Sequence, residues 1–210
     1  KKIMIKSKIA TKKQIIINGC PRSDYAFRLR KIKPKKNIIL YYLIESNRGK
    51  NPLSYHANVS WKKLYDQTLD YIISYATNNP EIKLILKGKI GEHTKSDFSS
   101  LSLPENCTFV EGGSGEAYLK DSTVVIAFNS SVVYETIASN RNLIIPNFNG
   151  ENKDKKLKKR LLQVANKKYF ANSRNDFNKK LNFYLNSKCK LFMLKNLKFL
   201  WKVLAILTQN

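Results

Sequence analysis

The sequence has few acidic residues, and this shortage gives the chain a strongly basic character. Only 15 of its 210 residues are Asp or Glu, against 39 Lys and Arg, so the formal net charge is +24. Such a surface attracts polyanions, anionic lipid headgroups or phosphorylated substrates, and charge alone does not choose among them. A general enrichment in Lys, Asn and Ile is the alternative origin of the excess.

Cysteine and histidine are also scarce. The three cysteines, Cys20, Cys107 and Cys189, lie far apart, and the chain has two histidines. Neither a Cys-x-x-Cys pair nor a Cys/His spacing typical of zinc occurs, so the sequence predicts no metal site and no disulfide framework. We therefore expect a cytoplasmic protein.

Long apolar runs are missing as well. No stretch of about 18 apolar residues occurs, so no membrane-spanning helix is predicted. Residues 1–13 begin with Lys1 and lack the apolar centre of a signal peptide, and we expect the chain to be part of a longer protein. Residues 188–210 have an amphipathic basic pattern, which is typical of a closing helix or of a peripheral contact with the anionic inner face of the cytoplasmic membrane.

What the sequence does contain is an alternation of short apolar runs and helical patterns. This order predicts an α/β fold, a Rossmann-like parallel sheet with helices on both faces. The predicted strands are 14–18, 38–43, 83–87, 108–110, 124–128 and 143–146, and the main predicted helices are 61–78, 116–120 and 131–139. We divide the chain into an interdomain segment (1–37), a Rossmann-like domain (38–150) and an extension of basic helices (151–210).

One stretch predicts a binding site. The buried strand Val124–Phe128 is followed by Asn129, Ser130 and Ser131 at a helix start, and Glu135 lies in that helix. A helix that begins at the carboxyl end of a parallel strand directs free N–H groups into the crevice where α/β proteins bind ligands. A phosphate at the two serines fits this geometry. The alternative is that the serines merely cap the helix and that the glutamate is a solvated residue.

Three segments together carry a family resemblance. They are the turn Gly19-Cys20-Pro21-Arg22-Ser23-Asp24, the strand Lys83–Lys87, and the stretch from Phe128 through two serines and a glutamate to Pro146. In this combination they resemble the donor-binding half of GT-B glycosyltransferases of the bacterial surface-carbohydrate biosynthesis type. The resemblance covers roughly residues 14–148, and Asn142 stands where that family usually has proline.

The resemblance implies a function and a set of site residues. Asn129, Ser130 and Ser131 would hold the diphosphate of a nucleotide-sugar donor, and Glu135 would bond the ribose hydroxyls. Arg48 follows the strand 38–43 and is expected at the same carboxyl edge of the sheet. The predicted cleft residues are Gly19, Arg22, Arg48 and Lys87, and no catalytic residue is identified.

The resemblance also implies a reaction that uses no cofactor, with the nucleotide sugar as substrate, and it implies partners. The family pairs this half with an N-terminal Rossmann domain that is missing from the sequence, and its acceptor would be a glycan or a lipid-linked molecule. A glycerophosphotransferase-like or epimerase-like relative is the nearest alternative. A basic module that binds polyanions or a membrane surface without catalysis is the second alternative, although no specific nucleic-acid motif occurs. The glycine-rich loop 112–116 is predicted to be a flexible connection, with donor contact as the alternative.

Overall fold

The computed structural model describes residues 7, 11, 21–44, 62–89, 102–128, 130–148 and 167–186. The strands are β1 (Ile38–Tyr42), β2 (Lys83–Lys87), β3 (Cys107–Val110), β4 (Val124–Ile126), β5 (Asn142–Pro146) and β6 (Phe170–Ala171). The α-helices are α1 (Pro21–Arg28), α2 (Lys62–Thr77), α3 (Gly115–Asp121), α4 (Ser131–Ala138) and α5 (Arg174–Asn186), with 3₁₀ turns at Leu29–Lys31 and Lys167–Tyr169.

The six strands form one sheet in the order β3-β2-β1-β4-β5-β6. Every neighbouring pair is parallel. A sheet of this kind is covered on both faces, which explains why its strands are continuous apolar runs. The direction of strand succession reverses between β1 and β4, and ligands of such folds bind beyond the carboxyl ends of the strands at that point.

Helices pack on both faces of the sheet, as predicted. Because side chains alternate along a strand, Tyr41 of β1 faces one layer and Leu40 faces the other. The first layer contains α2 and α5, which contribute Leu64, Ile72, Phe177 and Leu181. The second layer contains α3, α4 and the first 3₁₀ turn, which contribute Leu119, Val133, Ile137 and Leu29. The predicted α/β, Rossmann-like fold is thus confirmed.

Within the described residues the predicted strands and helices are confirmed to within a few residues at their ends. Helix α1 is an addition, since it starts inside the predicted Gly-Cys-Pro-Arg turn, and its Ala26 packs against Ala138 of α4. The strand predicted at 14–18 and the helix predicted over 188–210 lie outside the described residues. Of the basic helices predicted over 151–210, the described residues 167–186 contain a 3₁₀ turn, the strand β6 and the helix α5.

The sheet also includes residues beyond position 150, the predicted end of the Rossmann-like domain. Phe170 of β6 pairs with Ile145 of β5. Phe177 and Leu181 of α5 are fully buried in the same core as β1, β2 and β4. Residues 170–186 therefore complete the sheet and one of its helical layers.

Arg141, between α4 and β5, is the main polar element of this core. Its side chain is buried, and it donates hydrogen bonds to backbone carbonyls of the first 3₁₀ turn, of α3 and of the end of α4. It therefore ties together three elements that lie far apart in the sequence.

Candidate functional site

Three residues form a row across the carboxyl edge of the sheet. Tyr42 of β1 is the register partner of Lys87 at the end of β2. On the other side of β1, Tyr41 is the register partner of Ile126 in β4. The next residue of each strand follows the same register, so Ala127 lies next to Tyr42. Register partners in a parallel sheet share a face, and Tyr42 packs on the layer that contains α3 and α4. The row therefore crosses the topological switch point on the α3/α4 side.

Helix α4 begins just beyond this row. Its N-cap residue is Ser130, in an extended conformation, and the Ser130 side chain makes no capping hydrogen bond. Ser131, the first helical residue, is exposed. The first N–H groups of a helix have no partner within the helix. The Ser130 hydroxyl thus does not serve the helix in the way that the capping alternative requires.

Glu135 lies one helical turn after Ser131 and on the same side of α4, as residues four apart do. The residue is only 7% exposed. The alternative interpretation of Glu135 as a solvated helix residue is therefore wrong. A carboxylate in this position can accept two hydrogen bonds at once, for example from neighbouring hydroxyl groups.

Lys87 is a buried cation with few partners. Its residue is 6% exposed, and its Nζ donates one hydrogen bond, 2.8 Å long, to the Gly88 carbonyl. No carboxylate in the described part of the chain forms an ion pair with it. Burial lowers the pKa of the Lys87 ammonium. A buried ammonium without a carboxylate is costly, and a bound anion would offset this cost.

The glycine-rich loop follows β3 and lies beside Lys87. Gly112 and Gly113 have φ values of 63° and 70°, in the left-handed region that glycine tolerates best. The Gly112 N–H donates to the Gly88 carbonyl, and Ser114 caps α3 by accepting from the Glu116 N–H. The sequence predicts a flexible connection here, whereas the structure has a hydrogen-bonded turn.

Tyr42 fixes this loop from the sheet side. Its hydroxyl donates a 2.8 Å hydrogen bond to the carbonyl of Gly115, the first residue of α3. Sequence reasoning missed Tyr42 as a site residue. The available signal was its position as the last residue of a strand next to the switch point.

We expect Gly115→Ala to lower the free energy of unfolding by about 1–2 kcal/mol, because the new methyl group would overpack against Tyr42. A Cβ at Gly115 would lie 2.6 Å from the Tyr42 Oη and 2.9 Å from its Cε1. Urea unfolding of Gly115→Ala, Tyr42→Leu and the double variant measures the coupling free energy between the two substitutions. We expect the double variant to lose about 1 kcal/mol less stability than the sum of the two single losses.

Gly113→Ala is the matched control. A Cβ at this position would meet nothing within 4 Å, but the residue has a φ of +70°, which is strained for alanine. Its cost comes from backbone strain, so Tyr42→Leu should not relieve it. Purely additive costs for Gly115→Ala and Tyr42→Leu would contradict the steric explanation.

The structure brings together only some of the predicted site residues. Ser131 and Glu135 share one side of α4 and Ser130 is its N-cap residue, whereas Lys87 ends a strand two positions away from β4, a separation of about 10 Å. Arg22 is the second residue of α1. Asn129, Gly19 and Arg48 lie outside the described residues. Among the residues that the structure describes, no cluster of His, Cys, Asp or Glu could hold a metal ion.

The strand order and the two helical layers define a Rossmann-like α/β protein with its candidate site at the switch point. No family model matches the sequence, and no curated protein matches it. The chain is similar in structure to TarM, with 14% identity and a TM-score of 0.48. The similarity covers 82% of this chain and 31% of the TarM chain. It is weak, and no residue assignment rests on it.

None of the helices that the structure describes is both long and apolar enough to cross a bilayer.

Proposed function

We propose that this chain is the donor-binding part of a GT-B glycosyltransferase of bacterial surface-carbohydrate biosynthesis. In this proposal the diphosphate of a nucleotide sugar binds at the start of α4. The observation that carries it is the Ser130 hydroxyl, which lies at a helix start beside the switch point and takes no part in capping. The motif resemblance in the sequence supports the same assignment.

The chemistry of the site suits a diphosphate. The partial positive charge and free N–H groups of a helix start attract phosphate oxygens. The hydroxyls of Ser130 and Ser131 would donate further hydrogen bonds, and Lys87 would supply a full positive charge from the neighbouring part of the edge. Glu135 would accept hydrogen bonds from the two ribose hydroxyls, one helical turn further along.

In sugar transfer the bond between the sugar and the diphosphate breaks, and negative charge grows on the leaving diphosphate. Fixed positive groups at that position stabilise the transition state electrostatically. Lys87 and the α4 start would act in this way. The base that activates a glycan or lipid-linked acceptor would come from the N-terminal domain that the resemblance implies.

Binding to individual nucleotides tests the proposal. Ligand-observed NMR with UDP, CMP, GDP and their sugars, at low and moderate salt, should show saturable binding of one nucleotide that persists at moderate salt. If the chain is instead a basic polyanion-binding module, every anion should bind alike, and binding should fall steeply with salt. That result would overturn the proposed function.

We expect Ser130→Ala to weaken binding of the nucleotide about fivefold, the effect of one lost hydrogen bond, without lowering stability. Stability should be unchanged because no capping bond is lost. Isothermal titration and thermal unfolding measure the two effects.

Ser173→Ala is the matched control. The Ser173 hydroxyl accepts a 3.1 Å hydrogen bond from the Asp176 N–H at the start of α5. Losing this cap should cost about 1 kcal/mol of stability and leave nucleotide affinity unchanged. Equal effects of the two variants on nucleotide affinity would remove Ser130 from the site.

A further inference from the structure

A second surface combines exposed cations with exposed large apolar side chains. It spans the end of α1, the 3₁₀ turn and the loop before β1. We call it the basic strip, and its residues are Phe27, Arg28, Lys31, Ile32, Lys33 and Lys36. Phe27 is 42% exposed and Ile32 is 37% exposed. No acidic residue occurs between positions 27 and 36, and the nearest one along the chain is Asp24 in α1.

The strip is held rigidly by the fold. Arg141 donates hydrogen bonds to the carbonyls of Leu29 and Ile32, at 3.3 and 2.9 Å. The Lys35 N–H donates to the Asp121 carbonyl at 3.0 Å, and the Thr123 hydroxyl donates to the Lys35 carbonyl. These bonds fix the backbone from both sides. The strip is therefore a preformed surface, unlike a loose run of solvated charges.

The positions of the strip residues follow from the helix geometry. Ala26 and Leu29 are buried and face the domain. Phe27, Arg28 and Lys31 consequently lie on the outward side of this segment. Residues 32–37 lead directly into β1, so the strip lies toward the amino edge of the sheet, opposite the candidate donor site.

The apolar members indicate what covers the strip. The Arg30 guanidinium lies over the Phe27 ring, 4.7 Å from its centroid, so this ring face is not open to a stacked base. Ile32 has no π-face, whereas single-stranded nucleic acids bind by stacking bases on aromatic rings. A lipid bilayer accepts aliphatic and aromatic groups at headgroup depth, and anionic headgroups attract neighbouring Lys and Arg.

We propose that the basic strip docks on an anionic phospholipid bilayer. Phe27 and Ile32 insert at headgroup level, and Arg28, Lys31, Lys33 and Lys36 contact lipid phosphates. Docking on this side leaves the carboxyl edge of the sheet open. The proposal does not depend on the proposed function, since it concerns a different surface.

Vesicle co-sedimentation tests it with the full 210-residue chain. Vesicles of phosphatidylcholine are compared with vesicles that contain about 30 mol % phosphatidylglycerol, which carry the negative surface potential. We expect binding to the anionic vesicles only. The strip variant Lys31→Ala/Lys33→Ala/Lys36→Ala should weaken this binding by at least about tenfold.

The matched control removes the same charge elsewhere. Lys62→Ala/Lys63→Ala/Lys179→Ala changes three exposed lysines of α2 and α5 and leaves the same net charge as the strip variant. We expect it to retain most of the binding. Equal losses in the two variants would mean that net charge alone drives adsorption, and this would overturn the proposal.

Two further measurements separate the remaining explanations. Ile32→Ser keeps every charge and should still weaken vesicle binding about threefold or more, because it removes buried apolar area. Unchanged binding would contradict insertion. Titration of the natural protein and the strip variant with a single-stranded polynucleotide tests the nucleic-acid alternative. A strip variant that loses polynucleotide binding but keeps vesicle binding would show that the surface belongs to a nucleic acid.

Discussion

Replacing Arg141 with methionine is expected to lower the free energy of unfolding by about 3–5 kcal/mol, because each buried carbonyl left without a donor costs about 1–3 kcal/mol. The residue is 4% exposed. Methionine fills a similar volume but donates no hydrogen bond, so several buried carbonyls would lose their partner.

The hydrogen bonds of Arg141 explain the size of this effect. Its five donor–acceptor contacts, 2.9 to 3.3 Å long, reach the carbonyls of Leu29, Ile32, Leu119, Lys120 and Ser139. Most of these carbonyls lie at or near the end of a helical element, where the last carbonyls have no intrahelical partner and carry partial negative charge. One planar guanidinium therefore satisfies the ends of three elements at once.

Urea unfolding measures the effect, and Arg174→Met is the matched control. Arg174 is exposed, and its guanidinium lies 4.7 Å from the centroid of the Tyr71 ring. Its removal should cost about 0.5–1 kcal/mol. The stability loss of Arg141→Lys should lie between those of Arg141→Met and Arg174→Met, because lysine keeps the charge but has fewer donors in a different geometry. A loss for Arg141→Met as small as that for Arg174→Met would contradict the structural role.

The fold could be predicted from the sequence because its signals are local. The run Val124–Ile126 is apolar and β-branched over consecutive residues, and such runs indicate a strand buried on both faces. The start of α4 is equally local, since Ser130 and Ser131 directly follow that strand. Helix α1 also has a local signal in the sequence, namely Pro21 at its first position with Asp24 in the first turn.

The polar interior could not be predicted, because its partners are distant in sequence. Arg141 bonds Leu29 and Ile32 across 112 and 109 residues, and nothing near Arg141 distinguishes it from a surface arginine. The hydroxyl of Tyr42 reaches Gly115 across 73 residues. The burial of Lys87 likewise depends on how the strands and helices around it assemble. These features follow from the strand order, which local patterns do not encode.

Lys87→Met is expected to have two opposite effects: a small gain in stability and a large loss of nucleotide affinity. Methionine removes a buried charge that has no carboxylate partner among the described residues, and such replacements are neutral or stabilising by about 1 kcal/mol or more. The Gly88 carbonyl would keep a partner, because the Gly112 N–H also donates to it at 3.3 Å.

The stability gain should depend on pH in a defined direction. Burial lowers the pKa of Lys87 from its ordinary value of 10.5. Between the folded and unfolded pKa values the unfolded chain binds more protons, so the stability of the natural protein rises with pH in that window. The destabilising contribution of Lys87 is full below the folded pKa and vanishes above 10.5. The advantage of Lys87→Met should therefore be largest near neutral pH and shrink as pH approaches that value.

The loss of affinity follows from the proposed donor site. A charged hydrogen bond to a phosphate oxygen contributes about 1.5–3 kcal/mol, so a nucleoside diphosphate should bind Lys87→Met about 10- to 100-fold more weakly. The corresponding nucleoside, which has no phosphate, should bind both proteins equally. Lys179→Met, an exposed change on α5, should affect neither stability nor affinity by more than about 0.5 kcal/mol.

Titration calorimetry with both ligands separates the outcomes. Unchanged diphosphate affinity in a stable Lys87→Met protein would exclude Lys87 from the site. A variant that loses stability would instead show that the ammonium holds the Gly88 turn together, because a charge kept for an anionic ligand should weaken the fold until that ligand binds.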